Sequence, residues 1–138
     1  MCKNEIEVTE MNRSGYTPLV AYEAWRVAVL NYCDDVRPEN IHTMQKHNFT
    51  DEVFVLLSGH CTLYTGGCGD TPGAVTAHPM VPGKVYNIKK GCWHNHVLNE
   101  SGSVLIIEND DTYDGGDNSP ILPLNEEQMQ AVCDGWNE

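Results

Sequence analysis

Two stretches of the chain carry histidines and an acidic residue at spacings that suit a metal site. His47 is followed five positions later by Glu52, and His94 lies on a later strand candidate. Imidazole nitrogens and a carboxylate oxygen that converge suit Mn, Fe, Co, Ni or Zn, and three protein ligands leave coordination positions open for a substrate. These three residues are therefore candidate ligands of a divalent metal.

Strand alternation adds two more residues to these candidates. Side chains two positions apart on a strand lie on the same face. Gln45 therefore shares a face with His47, and His96 shares a face with His94. Tyr64 and Tyr86 are weaker candidates for lining the same pocket.

Short β-branched and aromatic runs, broken by turn residues, dominate the chain and predict strands. Turn signals recur every ~8–12 residues, which is typical of a sandwich, jelly roll or barrel. After a polar loop at Tyr113–Pro123, Asn125 and Gln128 form a capping box for a short helix over Glu126–Cys133. The predicted strands are one or two within Leu19–Cys33, then Ile41–Lys46, Glu52–Leu57, Cys61–Thr65, Ala74–Ala77, Lys84–Lys89, Cys92–Leu98 and Ser103–Glu108.

Length, charge and cysteine usage narrow the class of protein. The chain has 138 residues and a formal net charge of −12, which argues against binding to nucleic acid or to an anionic membrane. No apolar run approaches the ~18–20 residues that span a bilayer, and the first residues contain no apolar signal segment, so we expect a cytoplasmic protein. The six cysteines are dispersed without a CxxC pair, which predicts free thiols.

The two stretches resemble the two sequence motifs of the cupin superfamily. In the first motif, four residues separate His47 from Glu52, and six separate Glu52 from Gly59. In the second, the spaced positions are Gly83, Lys89-Lys90-Gly91 and His94, with five and two residues between them. Lys89 replaces the proline of the family pattern, which bears on turn geometry rather than on chemistry. The resemblance covers roughly Arg37 to Asp110.

This resemblance implies an all-β fold, the double-stranded β-helix or cupin jelly roll, to which the sequence adds a short C-terminal helix. We expect one domain over residues 1–138. The barrel occupies roughly residues 16–112, and the C-terminal loop and helix occupy residues 113–138.

The resemblance also implies the ligand set, with one departure from the family pattern. His47, Glu52 and His94 match the family's ligand positions, whereas Gln45 stands where its first histidine would be. Gln45 either adds a carbonyl oxygen to the metal or binds only substrate, and His96 is a substitute for the missing imidazole. The alternative is a barrel that has lost its metal, in which His47 and His94 make hydrogen bonds instead.

Glu108 joins the candidates through a conditional argument on strand register. If Glu100-Ser101-Gly102 is a three-residue hairpin loop with Gly102 in the left-handed conformation, His94 faces Glu108 across the ladder. His96 then faces Ile106. In that register Glu108 is a second carboxylate near the site and a candidate general base, with His96 as the other candidate for proton transfer. With a four-residue loop the register shifts and Glu108 points outward.

The strand at Glu52–Leu57 is apolar on both faces. Val53, Val55 and Leu57 alternate with Glu52, Phe54 and Leu56, and a strand of this kind is covered on both sides. We therefore expect a homodimer, in which a second sheet or a partner subunit covers the outside. An exchange of N-terminal strands would provide that cover.

The function that these residues and the resemblance imply is that of a metal-dependent enzyme. Ureidoglycolate lyases and sugar isomerases share the cupin fold, so the expectation is a lyase or isomerase acting on a small polar substrate with a carbonyl or carboxylate group. The competing expectation is a non-catalytic cupin module that binds a small polar ligand without a metal.

Overall fold

The computed structural model describes residues 5–112 and 115–137, which form two five-stranded antiparallel sheets and one short helix. The first sheet has the order β1-β2-β9-β4-β7 and the second the order β10-β3-β8-β5-β6. The strands are β1 Gly15–Tyr22, β2 Trp25–Asn31, β3 Thr43–Gln45, β4 Glu52–Ser58, β5 Cys61–Thr65, β6 Thr76–Pro79, β7 Tyr86–Ile88, β8 His94–Leu98, β9 Ser103–Asn109 and β10 Ile121–Pro123.

Most predicted strands are found within one or two residues of their expected bounds. The Leu19–Cys33 stretch resolves into two strands, because a turn at Glu23, whose φ is 51°, separates β1 from β2. The predicted loop at Tyr113–Pro123 is wrong at its end, where Ile121–Pro123 pairs with β3. The described part of the chain contains no helix long and apolar enough to cross a membrane.

The space between the sheets is filled by aliphatic and aromatic side chains from both. A separate cluster lies on the outer face of the second sheet, where helix α1 (Glu126–Asp134) packs over it. The predicted capping box starts this helix, because the Asn125 side chain accepts from the Gln128 backbone N–H and the Gln128 side chain accepts in return. The second sheet is therefore covered on both faces by this chain alone, and the members of the outer cluster are Ile41, Met44, Tyr64, Trp93, Val97, Leu124 and Val132.

The chain passes twice between the sheets at one end of the barrel, and these passages lie against each other. β4 leads to β5 through Gly59-His60, and β8 leads to β9 through the turn at residues 99–102. The His60 backbone N–H donates to Asn99 Oδ1 (2.9 Å), and the Asn99 N–H donates to the His60 carbonyl (3.1 Å). Gly59 has a φ of +66°, and a Cβ there would lie 2.5 Å from the Ser101 carbonyl carbon, so only glycine fits.

The predicted hairpin between β8 and β9 is therefore wrong. These strands belong to different sheets: β8 pairs with β3 and β5, whereas β9 pairs with β2 and β4. Gly102 is not in the left-handed conformation, and the turn is tied to His60 rather than closing a ladder. His94 does not face Glu108 in a shared register, and His96 pairs with Leu63 rather than with Ile106.

Asp51 aligns the two motifs at the start of β4. Its carboxylate accepts hydrogen bonds from Lys89 Nζ (2.9 Å), the Lys90 backbone N–H (2.8 Å) and Asn87 Nδ2 (3.0 Å). These bonds, chiefly that from Lys89, lower the pKa of Asp51 to about 2. Asp51 therefore ties the residue before Glu52 to the turn that leads toward His94.

We expect Asp51→Ala to lower the free energy of unfolding by about 1–2 kcal/mol at neutral pH, because charge-assisted hydrogen bonds are lost. A carboxyl group whose pKa is depressed on folding contributes stability that is present above its ordinary value and lost as the pH falls through its folded value. The difference from wild type should therefore shrink between pH 3.8 and about 2. Urea unfolding followed by tryptophan fluorescence measures it, with exposed Asp70→Ala as the control. Equal unfolding curves for the two variants would contradict the role of Asp51.

Candidate functional site

His47, Glu52 and His94 converge in the interior of the barrel. Glu52 Oε1 lies 2.8 Å from His94 Nε2 and 3.3 Å from His47 Nε2. One ligand atom from each residue lies within 4.8 Å of the others, and all three side chains are buried. The structure thus brings together the three candidate ligands that the sequence placed on separate elements.

The contact between His94 Nε2 and Glu52 Oε1 requires a proton or a cation between the two atoms. His94 Nδ1 lies 2.9 Å from the Cys92 carbonyl oxygen, which only accepts, so Nδ1 must donate. In the neutral ring this leaves the Nε2 lone pair directed at the Glu52 carboxylate. Either a shared proton or a bound cation satisfies that geometry.

Glu52 is held as a carboxylate in spite of its burial. Burial alone would raise its pKa, but hydrogen bonds from His47 and His94 outweigh that effect and hold the pKa of Glu52 well below its ordinary 4.5. An ionised oxygen in contact with two imidazoles has the donor chemistry of the Mn, Fe, Co, Ni and Zn class. The donor set therefore fits a divalent metal.

Each histidine is oriented by a partner behind it. His94 is fixed through the Cys92 carbonyl, and His47 Nδ1 lies 2.7 Å from Ser119 Oγ. Ser119 is fully buried and stands just before β10, in the stretch that the sequence predicts as a loop. Such outer partners set the tautomer and ring orientation of metal-binding histidines. No motif marks Ser119, so sequence reasoning missed it.

Glu108 is buried close to Glu52, although the register argument that led to it is wrong. It reaches the site from β9, where it pairs across the ladder with Arg26 of β2. Arg26 Nη2 and Thr112 Oγ1 both donate to Glu108 Oε1, whereas the buried Oε2 has no hydrogen-bond partner among the described residues. One carboxyl oxygen is therefore fixed by two donors, and the other accepts from none of the described residues.

The environment of Glu108 favours its protonated form. Burial, and then the neighbouring Glu52 carboxylate, raise the pKa of Glu108 to about 8, against the opposing effect of the Thr112 hydrogen bond. Two carboxyl groups placed side by side cannot both ionise easily, so the proton resides on one of them. Glu52 is the ionised member of this pair and Glu108 the protonated one.

His96 contributes an uncharged imidazole to the same space. Burial lowers the pKa of His96 to about 4, and its buried Nδ1 has no hydrogen-bond partner among the described residues. The ring centroid lies 5.9 Å from that of Phe54. His96 is therefore a neutral donor or acceptor at physiological pH.

A cavity of about 500 Å³ is lined by His47, Glu52, His96 and Glu108. Gln45 also lines it, as the cross-strand neighbour of His94 on β3. Tyr16 and Arg26 form part of its wall, and the Arg26 guanidinium lies 5.7 Å from the Tyr16 ring centroid. Sequence reasoning missed both, because only the β1–β2–β9 register places them beside Glu108.

The two tyrosines that the sequence suggested do not line this cavity. Tyr64 is fully buried in the outer cluster beneath α1. The Tyr86 hydroxyl accepts from the Val81 backbone N–H, outside the cavity. Tyr64 thus faces away from the interior, whereas Tyr86 packs against the core between the sheets without reaching the cavity.

Comparison with known proteins shows similarity at the level of fold. No protein-family model matches the sequence, and no curated protein is found to be similar to it. A cupin 2 domain-containing protein from Halorhodospira halophila is similar with a TM-score of 0.55 at 16% identity, over 87% of this chain and 75% of that one. A variant of PAC13 from Streptomyces, solved with uridine, has a TM-score of 0.55 at 11% identity, over 92% of this chain and 96% of that one.

A third structure, KdgF from Halomonas sp., has a TM-score of 0.50 at 10% identity, over 70% of this chain and 78% of that one. The chain therefore has the cupin fold. The all-β jelly roll that the two motifs predicted is confirmed.

The protonation of Glu108 predicts a pH-dependent stability in metal-free protein. A carboxyl group whose pKa is raised on folding stabilises the native state below its ordinary 4.5, and that contribution is lost as the pH rises toward about 8. Glu108→Gln, which keeps a neutral group, should therefore gain stability relative to wild type as the pH rises through this range.

Thermal or urea unfolding of both proteins across that pH range measures the difference. Exposed Glu100→Gln is the matched control and should follow wild type at every pH. If the Glu108→Gln curve also runs parallel to wild type, Glu108 ionises at its ordinary pKa and the assignment is wrong.

Proposed function

We propose that the protein is a metal-dependent enzyme of the cupin type, a lyase or isomerase that acts on a small polar substrate with a carbonyl or carboxylate group. The observation that carries this proposal is the buried convergence of His47, Glu52 and His94 around one point. A buried carboxylate against two oriented imidazoles is costly unless a proton or cation joins them. We take these three residues as the metal ligands.

A bound divalent cation would supply Lewis-acid polarisation of a substrate oxygen. Mn, Fe, Co, Ni and Zn are all compatible with this donor set. Gln45, beside His94 on the neighbouring strand, would add its carbonyl oxygen to the metal or hold the substrate. The chain's own residues would then position the substrate and transfer its protons.

Glu108 and His96 are the proposed proton-transfer residues. Glu108 lines the cavity, where Arg26 and Thr112 donate to one oxygen and no described residue donates to the other. His96 lines it with a buried nitrogen that has no partner among the described residues. Lyase and isomerase reactions need a group that removes a proton and one that returns it, so this pair matches that need.

The cavity supports a small ligand. Its volume of about 500 Å³ falls within the range of small-molecule sites, and its wall combines many polar and charged groups with fewer apolar side chains. The fold similarity to PAC13, which was solved with uridine, is consistent with a small polar ligand.

The competing function is a non-catalytic module that binds such a ligand without a metal. Gln45 favours it, because an amide replaces one imidazole of the family's ligand set. In this alternative a shared proton holds Glu52 between the two histidines, and the polar wall alone recognises the ligand.

Metal analysis distinguishes the two functions. Untagged protein, dialysed in turn against each of the five metals, is expected to retain about one equivalent of at least one of them by inductively coupled plasma mass spectrometry. His94→Ala should lose the metal because a ligand is removed, whereas exposed His60→Ala, the matched control, should retain it. Wild-type protein that takes up no metal would overturn the metal-dependent mechanism, and screening for bound polar ligands would follow.

We also propose that the protein is a homodimer. Some outward side chains of the first sheet remain accessible, since Leu57 and Trp25 are 42% and 43% exposed. Ile6 and Val8, in the extended segment that precedes β1, are 79% and 87% exposed. An exchange of this segment, or sheet-to-sheet packing, would remove these side chains from water.

Light scattering coupled to size-exclusion chromatography tests the homodimer. Wild type is expected at twice the chain mass, and Leu57→Glu at the chain mass, because a charge would be buried in the interface. Val81→Glu, which changes an equally exposed residue in a turn, should remain dimeric. A monomeric wild type, or a dimeric Leu57→Glu, would contradict association through this face.

A further inference from the structure

The glycine loop, residues 66–73, is fixed against the start of β8. The Gly66 N–H donates to the Trp93 carbonyl (2.8 Å), and the Trp93 N–H donates to the Gly67 carbonyl (2.9 Å). The Trp93 indole Nε1 donates to the Gly69 carbonyl (2.8 Å). Three hydrogen bonds therefore hold this loop beside the residues that lead into His94.

This arrangement brings two cysteines together. Cys68 follows the bonded pair in the glycine loop, and Cys92 precedes Trp93 on the facing segment. Because Trp93 is hydrogen-bonded to both Gly66 and Gly67, the next residues on each side, Cys92 and Cys68, face each other across the two segments. Both are free thiols; Cys68 is exposed and Cys92 is half-buried.

We propose that Cys68 and Cys92 are an oxidation-sensitive thiol pair that forms a reversible disulfide between the glycine loop and the residues leading into β8. Exposed Cys68 would react first with a peroxide, giving a sulfenic acid and one water molecule. The Cys92 sulfur would then attack the Cys68 sulfur, forming the S–S bond and releasing a second water. The two thiols lose two electrons and two protons in total, and the peroxide is reduced; a small thiol such as glutathione would reverse the reaction by exchange.

The disulfide would act on the candidate metal site through the Cys92 backbone. The Cys92 carbonyl accepts the hydrogen bond from His94 Nδ1 that orients this ring (2.9 Å). A disulfide holds the two Cβ atoms about 3.5–4.5 Å apart in a narrow range of orientations, so its formation would constrain the backbone at Cys92. Disturbing the partner of a metal-binding histidine typically weakens metal affinity by about 10–100-fold. This consequence rests on the proposed function, whereas formation of the disulfide does not.

Peptide mapping by mass spectrometry tests the thiol pair directly. Reduced wild-type protein is treated with hydrogen peroxide, digested without reductant and compared with the untreated sample. A linked peptide containing Cys68 and Cys92, lighter by two hydrogen atoms and released by dithiothreitol, is the expected result. Cys68→Ser should abolish it, and Cys133→Ser, which removes an exposed thiol on α1, should leave it intact. Oxidation of Cys68 to a sulfinic acid while Cys92 stays a thiol would overturn the proposal.

Metal affinity then tests the consequence. Calorimetric titration of the oxidised and reduced proteins with the metal that the wild type retains should show about 10–100-fold weaker binding after oxidation. The Cys68→Ser variant should bind equally well before and after peroxide. Equal affinity of both wild-type forms would overturn the regulatory role. Failure of the reduced protein to bind any metal would contradict the proposed function alone, because the peptide map decides the disulfide independently.

Discussion

The buried carboxylate of Glu52 is the constraint on which the interior of this barrel depends. An ionised group removed from water destabilises a fold by several kcal/mol unless its charge is matched. The two imidazoles that match it, those of His47 and His94, come from outside β4. Both rings need partners of their own, and a serine hydroxyl and a backbone carbonyl provide them. The Glu52 charge therefore requires two oriented histidines, and the partner of one of them, Ser119, lies in the loop before β10.

A second acidic group close to Glu52 makes this constraint stricter. Glu108 tolerates its position by retaining a proton and by bonding to Arg26 and Thr112. Arg26 also contacts Asp110, so the guanidinium stands between two carboxyl groups of the β9 end. Hydrogen bonds and ion pairs thus hold this part of the cavity wall in place. Such a polar lining specifies the position of each side chain, because most alternative rotamers leave a buried group unsatisfied.

The sequence predicted the strands and the three metal-ligand candidates because local signals mark both. Turn residues bound each strand, and the spacing of His47, Glu52 and His94 matches a known family pattern. The pairing of the strands could not be predicted in this way, because it depends on contacts between residues that are distant in the chain. β8 leaves for the other sheet through the 99–102 turn, which packs against Gly59, and no local pattern reveals this contact between distant residues. Glu108 is therefore buried beside Glu52, although the strand register from which we predicted its position is wrong.

The two sheets differ in what covers their outer faces, and this difference predicts how each tolerates mutation. Helix α1 makes the outward side chains of the second sheet, among them Trp93 and Val97, as inaccessible as the interior. Polar replacements there would remove packing and leave buried groups unsatisfied, so both faces of that sheet carry the sequence restrictions of a core. Several outward positions of the first sheet, such as Val55, are only half-buried in this chain, so an associating partner would add to their restriction. In a lineage in which that association was lost, variation would accumulate on one side of the barrel and not on the other.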